Sequence, residues 1–325
     1  MKVLITGATG FIGANLVEAV TQRGWQAVAL RRKTSSLRAM EGLTYESTFG
    51  DVTDFEALVT AMRGVDIVFH AAAVADYWRT GIKRLYEVNV DGTRNVMKAA
   101  KSVGVRRVVF TSSVAALGLP AFGQMLDELA AFNQPPEQFH YGYSKVLAER
   151  VVQEYVADGL DAVIVNPAVV IGPRDVNFIS GSIIIEEARH AIPVYPPGGV
   201  CVIDVADVCA GEIGAAERGR TGERYILGGD NLWYRDLVAI TAQVVGRRPA
   251  RIRLSRPVIK LAALVVEILR KLQLQLPIDG DQMRMSAETM WFDSTKARRE
   301  FGLRPRPYRE AAQRAYDWYK SAGLL

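Results

Sequence analysis

Apolar residues in this chain fall into short runs that alternate with helix-spaced stretches. Lys2-Val-Leu-Ile-Thr6 is an apolar run, and Leu16, Val17 and Val20 follow at helical spacing up to Gly24. Gln26 to Leu30 and a run around Thr44 to Ser47 read as the next two strands. Asp54 then caps a helix that ends near Gly64. The strand Asp66 to His70, a helix over about 82–102, the strand Arg107 to Thr111, a helix from Tyr141 to about Ala157 and the strand Asp161 to Val165 complete the series. Strands that alternate with helices predict an α/β fold, a doubly wound and mostly parallel sheet. From Ile171 the alternation stops, and shorter mixed elements predict a smaller C-terminal substrate lobe. The division is a dinucleotide-binding domain over 1–170 and a lobe over 171–325, with one strand near 222–229 returning to the large sheet. An amphipathic helix over Val258 to Leu276 and a terminal helix over Tyr308 to Leu325 belong to the lobe.

Composition narrows the class. The 325 residues, 49% hydrophobic and 23% charged, are those of a globular protein with a large core. Cys201 and Cys209 fit no metal or disulfide spacing, and His70, His140 and His190 form no ligand cluster, so no metal is expected. The chain opens directly on a strand, which points to a cytoplasmic protein without a signal peptide. The densest basic stretch, Arg247 to Arg253, lacks interleaved aromatics and reads as a solvated edge, not a nucleic-acid site. Val258 to Leu276 carries too many charges to span a bilayer. Packing on its own lobe is the favoured reading, with contact to a membrane surface as the lesser alternative.

Chemistry enters at the first turn. Gly7-Ala-Thr-Gly10-Phe-Ile-Gly13 lies between a strand and a helix, where backbone N–H groups can hold a pyrophosphate. The second strand ends at Arg31-Arg32-Lys33, where a NAD-preferring fold has an acidic residue. A guanidinium there suits a 2′-phosphate, so NADP is expected over NAD. Tyr141 and Lys145, four apart on a helix, share one face. An ammonium so placed would draw the phenol pKa down from about 10 toward the range of an acid/base catalyst. Tyr143, two residues from Lys145, points elsewhere. Asp76, Tyr77 and Trp78 follow the fourth strand at its carboxyl end, where ligands of open α/β sheets bind. The loop over about 117–139 is long enough to suggest a functional cover.

The glycine loop, Asn89, Thr111-Ser112-Ser113 and Tyr141-x-x-x-Lys145 stand in the order found in the extended short-chain dehydrogenase/reductase superfamily, and the chain resembles that family over its whole length. Val165-Asn-Pro167, Ile171-Gly-Pro-Arg-Asp175, Gly222 to Gly229 and Lys296 to Gly302 look most similar to the dihydroflavonol-reductase-like branch and its hopanoid-associated sugar-epimerase-like relatives. The resemblance implies a roughly seven-stranded sheet that binds NAD(P). It makes Tyr141 the acid/base and puts Ser113 on the substrate oxygen. It places Lys145 on the nicotinamide ribose and Tyr141. It also implies that Gly7, Thr9, Gly10, Phe11, Ile12 and Gly13 hold the pyrophosphate, that Asp51 and Val52 flank the adenine, and that Ala71, Ala72 and Ala73 line the cofactor. Asn89 belongs to the same site, and Thr111, Pro167, Ala168, Val169 and Val170 lie against the nicotinamide half. Val74, Asp76, Tyr77, Ser113, Phe178 and Tyr195 are candidate substrate contacts, and the helices over 82–102 and 141–157 would form a homodimer interface.

Three activities compete. The leading one is a carbonyl reductase or alcohol dehydrogenase. The second is a nucleotide-sugar epimerase or dehydratase. Similar epimerases carry Arg-Asp-Tyr/Phe before a strand ending His-Val-x-Asp. Aligning Val202-Ile-Asp204 with that strand puts Pro197-Gly198-Gly199 and Cys201 at those positions, which removes the expected cation unless Arg174 replaces it. The third is a non-catalytic dinucleotide sensor, disfavoured because Ser113, Tyr141 and Lys145 are all present.

Overall fold

The computed structural model describes residues 1–75, 80–190, 193–271 and 280–325. Its centre is a seven-stranded, all-parallel sheet in the order Arg224–Leu227, Ala162–Pro167, Arg107–Thr111, Ile67–His70, Lys2–Thr6, Gln26–Arg31, Glu46–Phe49. Both faces are covered, which explains why these strands read as continuous apolar runs. Val3, Ile5, Ile67, Phe69, Val109 and Val163 enter one core cluster. Their neighbours Leu4, Val68, Val108, Phe110 and Ile164 enter the other, on the opposite face.

The helices begin and end where local chemistry requires. Asp54 accepts from the backbone N–H of Ala57 and starts Phe55–Met62, a cap worth about 1 kcal/mol. Gly104, at φ 74°, ends Gly92–Val103 in the left-handed conformation that glycine adopts without strain. The helix expected over 82–102 is continuous but not uniform. Ile82–Tyr86 passes through a π turn, Glu87–Asp91, into Gly92–Val103. Close approach to the Val52 loop accompanies this turn, since a Cβ on Gly92 would lie 2.7 Å from Val52 Cγ2. The third strand lies slightly later than its apolar run suggested, at Glu46–Phe49.

The smaller lobe is built on a second sheet of Asp230–Trp233, Gly199–Asp204, Thr289–Phe292 and Met125–Leu126, with Val169–Ile171 pairing the C-terminal half of Gly199–Asp204 on the edge opposite Asp230–Trp233. The 117–139 loop therefore reaches across to the lobe through Met125 and Leu126. Val200, Val202, Leu237, Tyr308 and Tyr319 form the core of this lobe. The amphipathic helix expected from Val258 is Arg256–Lys271, and the remainder of that stretch, 272–279, lies outside the described residues. The terminal helix is Tyr308–Ser321. Among the described residues no helix is long and apolar enough to cross a membrane.

Candidate active site

A cleft of about 440 Å³ opens at the carboxyl ends of the central strands. It is lined by Gly7, Thr9, Gly10, Arg31, Arg32, Asp51, Val52 and the Ala71–Val74 segment. Its tight first turn depends on glycine. Gly7 has φ 67°, and a Cβ there would lie 2.7 Å from the backbone of Ala72. A Cβ on Gly13 would lie 2.2 Å from Gly7 O. These contacts let a helix N-terminus meet the sheet edge with its N–H groups exposed, a cradle that fits a dinucleotide pyrophosphate. Phe11 and Ile12 pack on the core beneath the loop. Ser35, Arg84 and Asn177 also line the cleft and were not anticipated.

At the second strand's end, Arg31 Nε donates to Ser47 Oγ at 2.7 Å, and the guanidinium lies 4.5 Å over the Phe49 ring. The two terminal amino groups of Arg31 have no partner among the described residues. Asp51 accepts from Thr53 and faces Arg84 at 3.5 Å.

Behind the alanine segment is a buried chain of hydrogen bonds that the sequence does not reveal. Thr93 donates to Asn89 O, so its oxygen accepts from His70 Nε2 at 3.0 Å. Nδ1 of His70 then accepts from Thr6 Oγ1 at 2.8 Å, and the Thr6 oxygen accepts from Ala72 N–H. Burial, with the nearby Lys145 charge, lowers the His70 pKa to about 3, so the ring is neutral. Asn89 completes the bracket. Its Oδ1 accepts from Val74 N, and its Nδ2 bonds Val74 O and Ser144 Oγ. Asn89 is thus a buried brace behind the alanine wall.

A second cavity, about 770 Å³, adjoins Ser113 and Tyr141. Ser113 lies at the end of the fifth strand and Tyr141 on the first turn of His140–Ala157; the two side chains are hydrogen-bonded. The cavity walls are chiefly apolar: Val114, Leu119, Phe139, Ala168, Val169, Phe178, Ile179, Ile183, Met285, Met290 and Phe292. Among its described lining residues, Arg189 supplies the cation and Glu186 the carboxylate. Pro167, Val170 and Thr111 are buried in the layer behind. A groove of about 810 Å³ along 123–130 and Trp291 contains none of the catalytic candidates.

Two of the expected substrate residues lie away from this cavity. Tyr195 is not in the wall of this cavity. It sits on the short strand Val194–Tyr195, paired with Ile252–Arg253, and packs on the lobe core. Val74 lines the dinucleotide cleft instead of the second cavity. Asp76 and Tyr77 lie outside the described residues, as does Trp78.

The electrostatics around Lys145 also differ from the simple picture. Lys145 Nζ donates to Thr111 O at 2.9 Å and lies 5.2 Å from the centre of the Phe110 ring. Burial brings its pKa down to about 8, against the pull of Glu149 and Glu212. Burial also raises the Tyr141 phenol above its usual value, and the Ser113 hydrogen bond opposes the rise. The expected depression of the phenol by Lys145 is absent in this arrangement, because the ammonium is directed to the Thr111 carbonyl. Tyr143 is turned toward Phe132, 6.0 Å away.

Two buried carboxyls stand beneath this set. Glu212, on Val205–Arg218, accepts from Thr111 Oγ1 at 2.8 Å; burial lifts its pKa to about 7. Glu149 accepts from Ser112 Oγ at 2.5 Å and Asn166 Nδ2 at 2.7 Å and faces Arg224 at 3.4 Å. Asn166 Nδ2 also donates to Ser113 O at 2.9 Å, so the network grips the backbone of the Ser113 loop. Arg174, the cation considered for a sugar diphosphate, bonds Glu18 and the carbonyls of Ala39 and Glu41 instead. Cys201 and Cys209 are buried free thiols, and burial pushes both above their usual range.

Comparison with known proteins agrees with this geometry. A Synechocystis protein named for dihydroflavonol 4-reductase is 35% identical over 330 residues, covering 99% of this chain and 95% of its own length. The sterol demethylase protein B of Methylococcus capsulatus is 32% identical over 329 residues and covers both chains completely. The crystal structure of gox2253 superposes with a TM-score of 0.87 at 36% identity, covering 99% of each chain. A nucleoside-diphosphate-sugar epimerase from Pseudomonas aeruginosa superposes with a TM-score of 0.81 at 26% identity, covering 100% of this chain and 99% of its own. Residues 3–228 match the model of the NAD dependent epimerase/dehydratase family. With the glycine turn, the parallel sheet and the Ser113, Tyr141 and Lys145 cluster in place, the chain belongs to the NAD dependent epimerase/dehydratase family.

Proposed function

We propose that the protein is a carbonyl reductase or alcohol dehydrogenase that uses NADP in preference to NAD. The observation that carries this reading is the hydrogen-bonded Ser113–Tyr141 pair at the edge of a largely apolar cavity of about 770 Å³. The residues of the neighbouring cleft fit a dinucleotide. Gly7, Thr9 and Gly10 would hold its pyrophosphate, Asp51 and Val52 its adenosine half, and Arg31 with Arg32 a 2′-phosphate. The bound nicotinamide would supply or accept a hydride.

The chain's own residues perform the proton chemistry. Ser113 Oγ positions the substrate oxygen by a hydrogen bond, and Tyr141 Oη gives that oxygen a proton in reduction or takes one in oxidation. Lys145, anchored on Thr111 O behind the pair, would hold the nicotinamide ribose of the bound dinucleotide. Ala168, Val169 and Phe178 present apolar surface to the substrate.

A nucleotide-sugar epimerase or dehydratase is the second reading, favoured by the name of the Pseudomonas aeruginosa neighbour. The commitment of Arg174 to Glu18, Ala39 and Glu41 speaks against it, because it leaves Arg189 as the one cation among the described lining residues to meet a diphosphate. The test is to incubate purified protein and NADPH with aldehydes, ketones and nucleotide sugars. Net NADPH oxidation with an apolar carbonyl supports the reductase, whereas sugar interconversion without net cofactor loss overturns it.

A further inference from the structure

The helix Arg256–Lys271 presents an apolar face outward as well as inward. Ile259 and Ala263 are buried against the lobe. Val258, Leu261, Leu264, Val265 and Ile268 are between 47% and 64% exposed. At about 100° per residue, these five side chains fall within an arc of roughly 120°, a single stripe on the side of the helix opposite the inward one. Scattered exposed apolar residues are ordinary, but five contiguous ones on a helix mark a contact surface.

Charge identifies what the stripe meets. From Arg247 to Lys260 the chain carries five arginines and one lysine and no aspartate or glutamate. Arg248, Arg251, Arg253 and Lys260 are exposed without an acidic partner among the described residues. Two acidic residues are close by, Glu267 on the helix itself and Glu288 beside it, and each is held by an arginine: Glu288 by Arg256 at 2.9 Å and Glu267 by Arg284. Aromatic residues continue the surface at the helix's N-terminal end. Arg256 lies 4.4 Å over the half-exposed Phe122 ring, which lies 5.7 Å from Trp233. Rings with one apolar face and one wet edge suit the headgroup region of a bilayer. The helix has 16 residues, about 24 Å at 1.5 Å per residue, short of the roughly 30 Å hydrocarbon core. It can lie in the interface but not cross it.

We propose that the outward face of Arg256–Lys271 docks on an anionic membrane surface, with its apolar stripe in the acyl boundary and its cations on the headgroups. The location fits that role. Gly280–Met285 packs so closely on this helix that a Cβ on Gly280 would lie 3.0 Å from Ala263 O, and Met285 itself lines the apolar cavity. If the reductase reading holds, a membrane-dissolved carbonyl compound would stand one element away from Tyr141.

The test needs no turnover, so its outcome is independent of the proposed reaction. Full-length protein is floated with vesicles of phosphatidylcholine containing one third phosphatidylglycerol, and with phosphatidylcholine alone. The wild type is expected to float with the anionic vesicles. Leu261→Glu/Leu264→Glu is expected to lower the bound fraction at least tenfold at an unchanged melting temperature. A wild type that stays at the bottom, or a double variant that floats equally well, overturns the proposal. So does a double variant that converts a dimer to a monomer by analytical ultracentrifugation when the wild type binds no vesicles, since a second copy would then cover the stripe.

Discussion

Glu212 offers the sharpest physical test of the site's interior. Its carboxyl is fully buried, accepts from Thr111 Oγ1 at 2.8 Å, and has no partner for its second oxygen among the described residues. Burial raises the folded pKa from 4.5 to about 7, because ionising a carboxyl there is opposed more strongly than the Thr111 hydrogen bond and Lys145 can offset. Between these values the folded state retains a proton that the unfolded chain has released. Stability is therefore highest below pH 4.5 on this account and falls as pH rises through about 7. The difference of roughly 2.5 units corresponds to about 3 kcal/mol. Glu212→Gln retains an acceptor for Thr111 and removes the titration. Relative to wild type, the variant should gain about 3 kcal/mol between the two ends of this window, or about 4–5 °C in melting temperature for a chain of this size. Differential scanning fluorimetry of both proteins across the window measures this directly. Parallel curves for the two proteins would refute the reasoning, because they would show that Glu212 ionises in the folded state as it does in water.

Other consequences follow from individual contacts. Arg31→Ala should weaken NADPH binding by about tenfold or more while changing NADH affinity little, as a lost charge-assisted contact would; fluorescence titration with both cofactors checks it. Gly13→Ala drives a methyl group to 2.2 Å from Gly7 O, so it should abolish dinucleotide binding or unfold the turn, as read by titration and melting temperature together. His70→Leu leaves the Thr6 and Thr93 hydroxyls without their buried partner and should cost about 1–3 kcal/mol in chemical denaturation. Ser113→Ala removes the substrate hydrogen bond and should lower kcat by about 10²-fold or more with little change in cofactor affinity, measured by steady-state kinetics.

Much of this architecture is readable from residue order. Strands buried on both faces, such as Val3-Leu4-Ile5 and Val108-Val109-Phe110, produce unbroken apolar runs, and the glycines between run and helix mark the turn. The four-residue interval from Tyr141 to Lys145 is a local property of one helix, so it too survives in the sequence. What escapes is set by distant contacts. Glu212 is 101 positions from Thr111, and no local pattern announces that its helix will carry the carboxyl beneath the fifth strand. The Asn89 bracket depends on Val74 and Ser144 meeting it across a π turn that has no hydrophobic signature. Tyr195 looks like a pocket aromatic by its neighbourhood in sequence, yet its pairing with Ile252–Arg253 directs it to the lobe core. The Tyr141–Lys145 interval gives proximity but not direction, and Lys145 is directed at Thr111 O.

The account depends most on Tyr141 as the proton donor. The decisive measurement is turnover of Tyr141→Phe with the best carbonyl substrate, alongside NADPH affinity of the same sample by fluorescence titration. The account predicts a loss of at least about 10³-fold in kcat with affinity for NADPH nearly unchanged, since only the hydroxyl that meets the substrate oxygen is removed. Turnover near the wild-type rate in a variant that binds NADPH normally would contradict it.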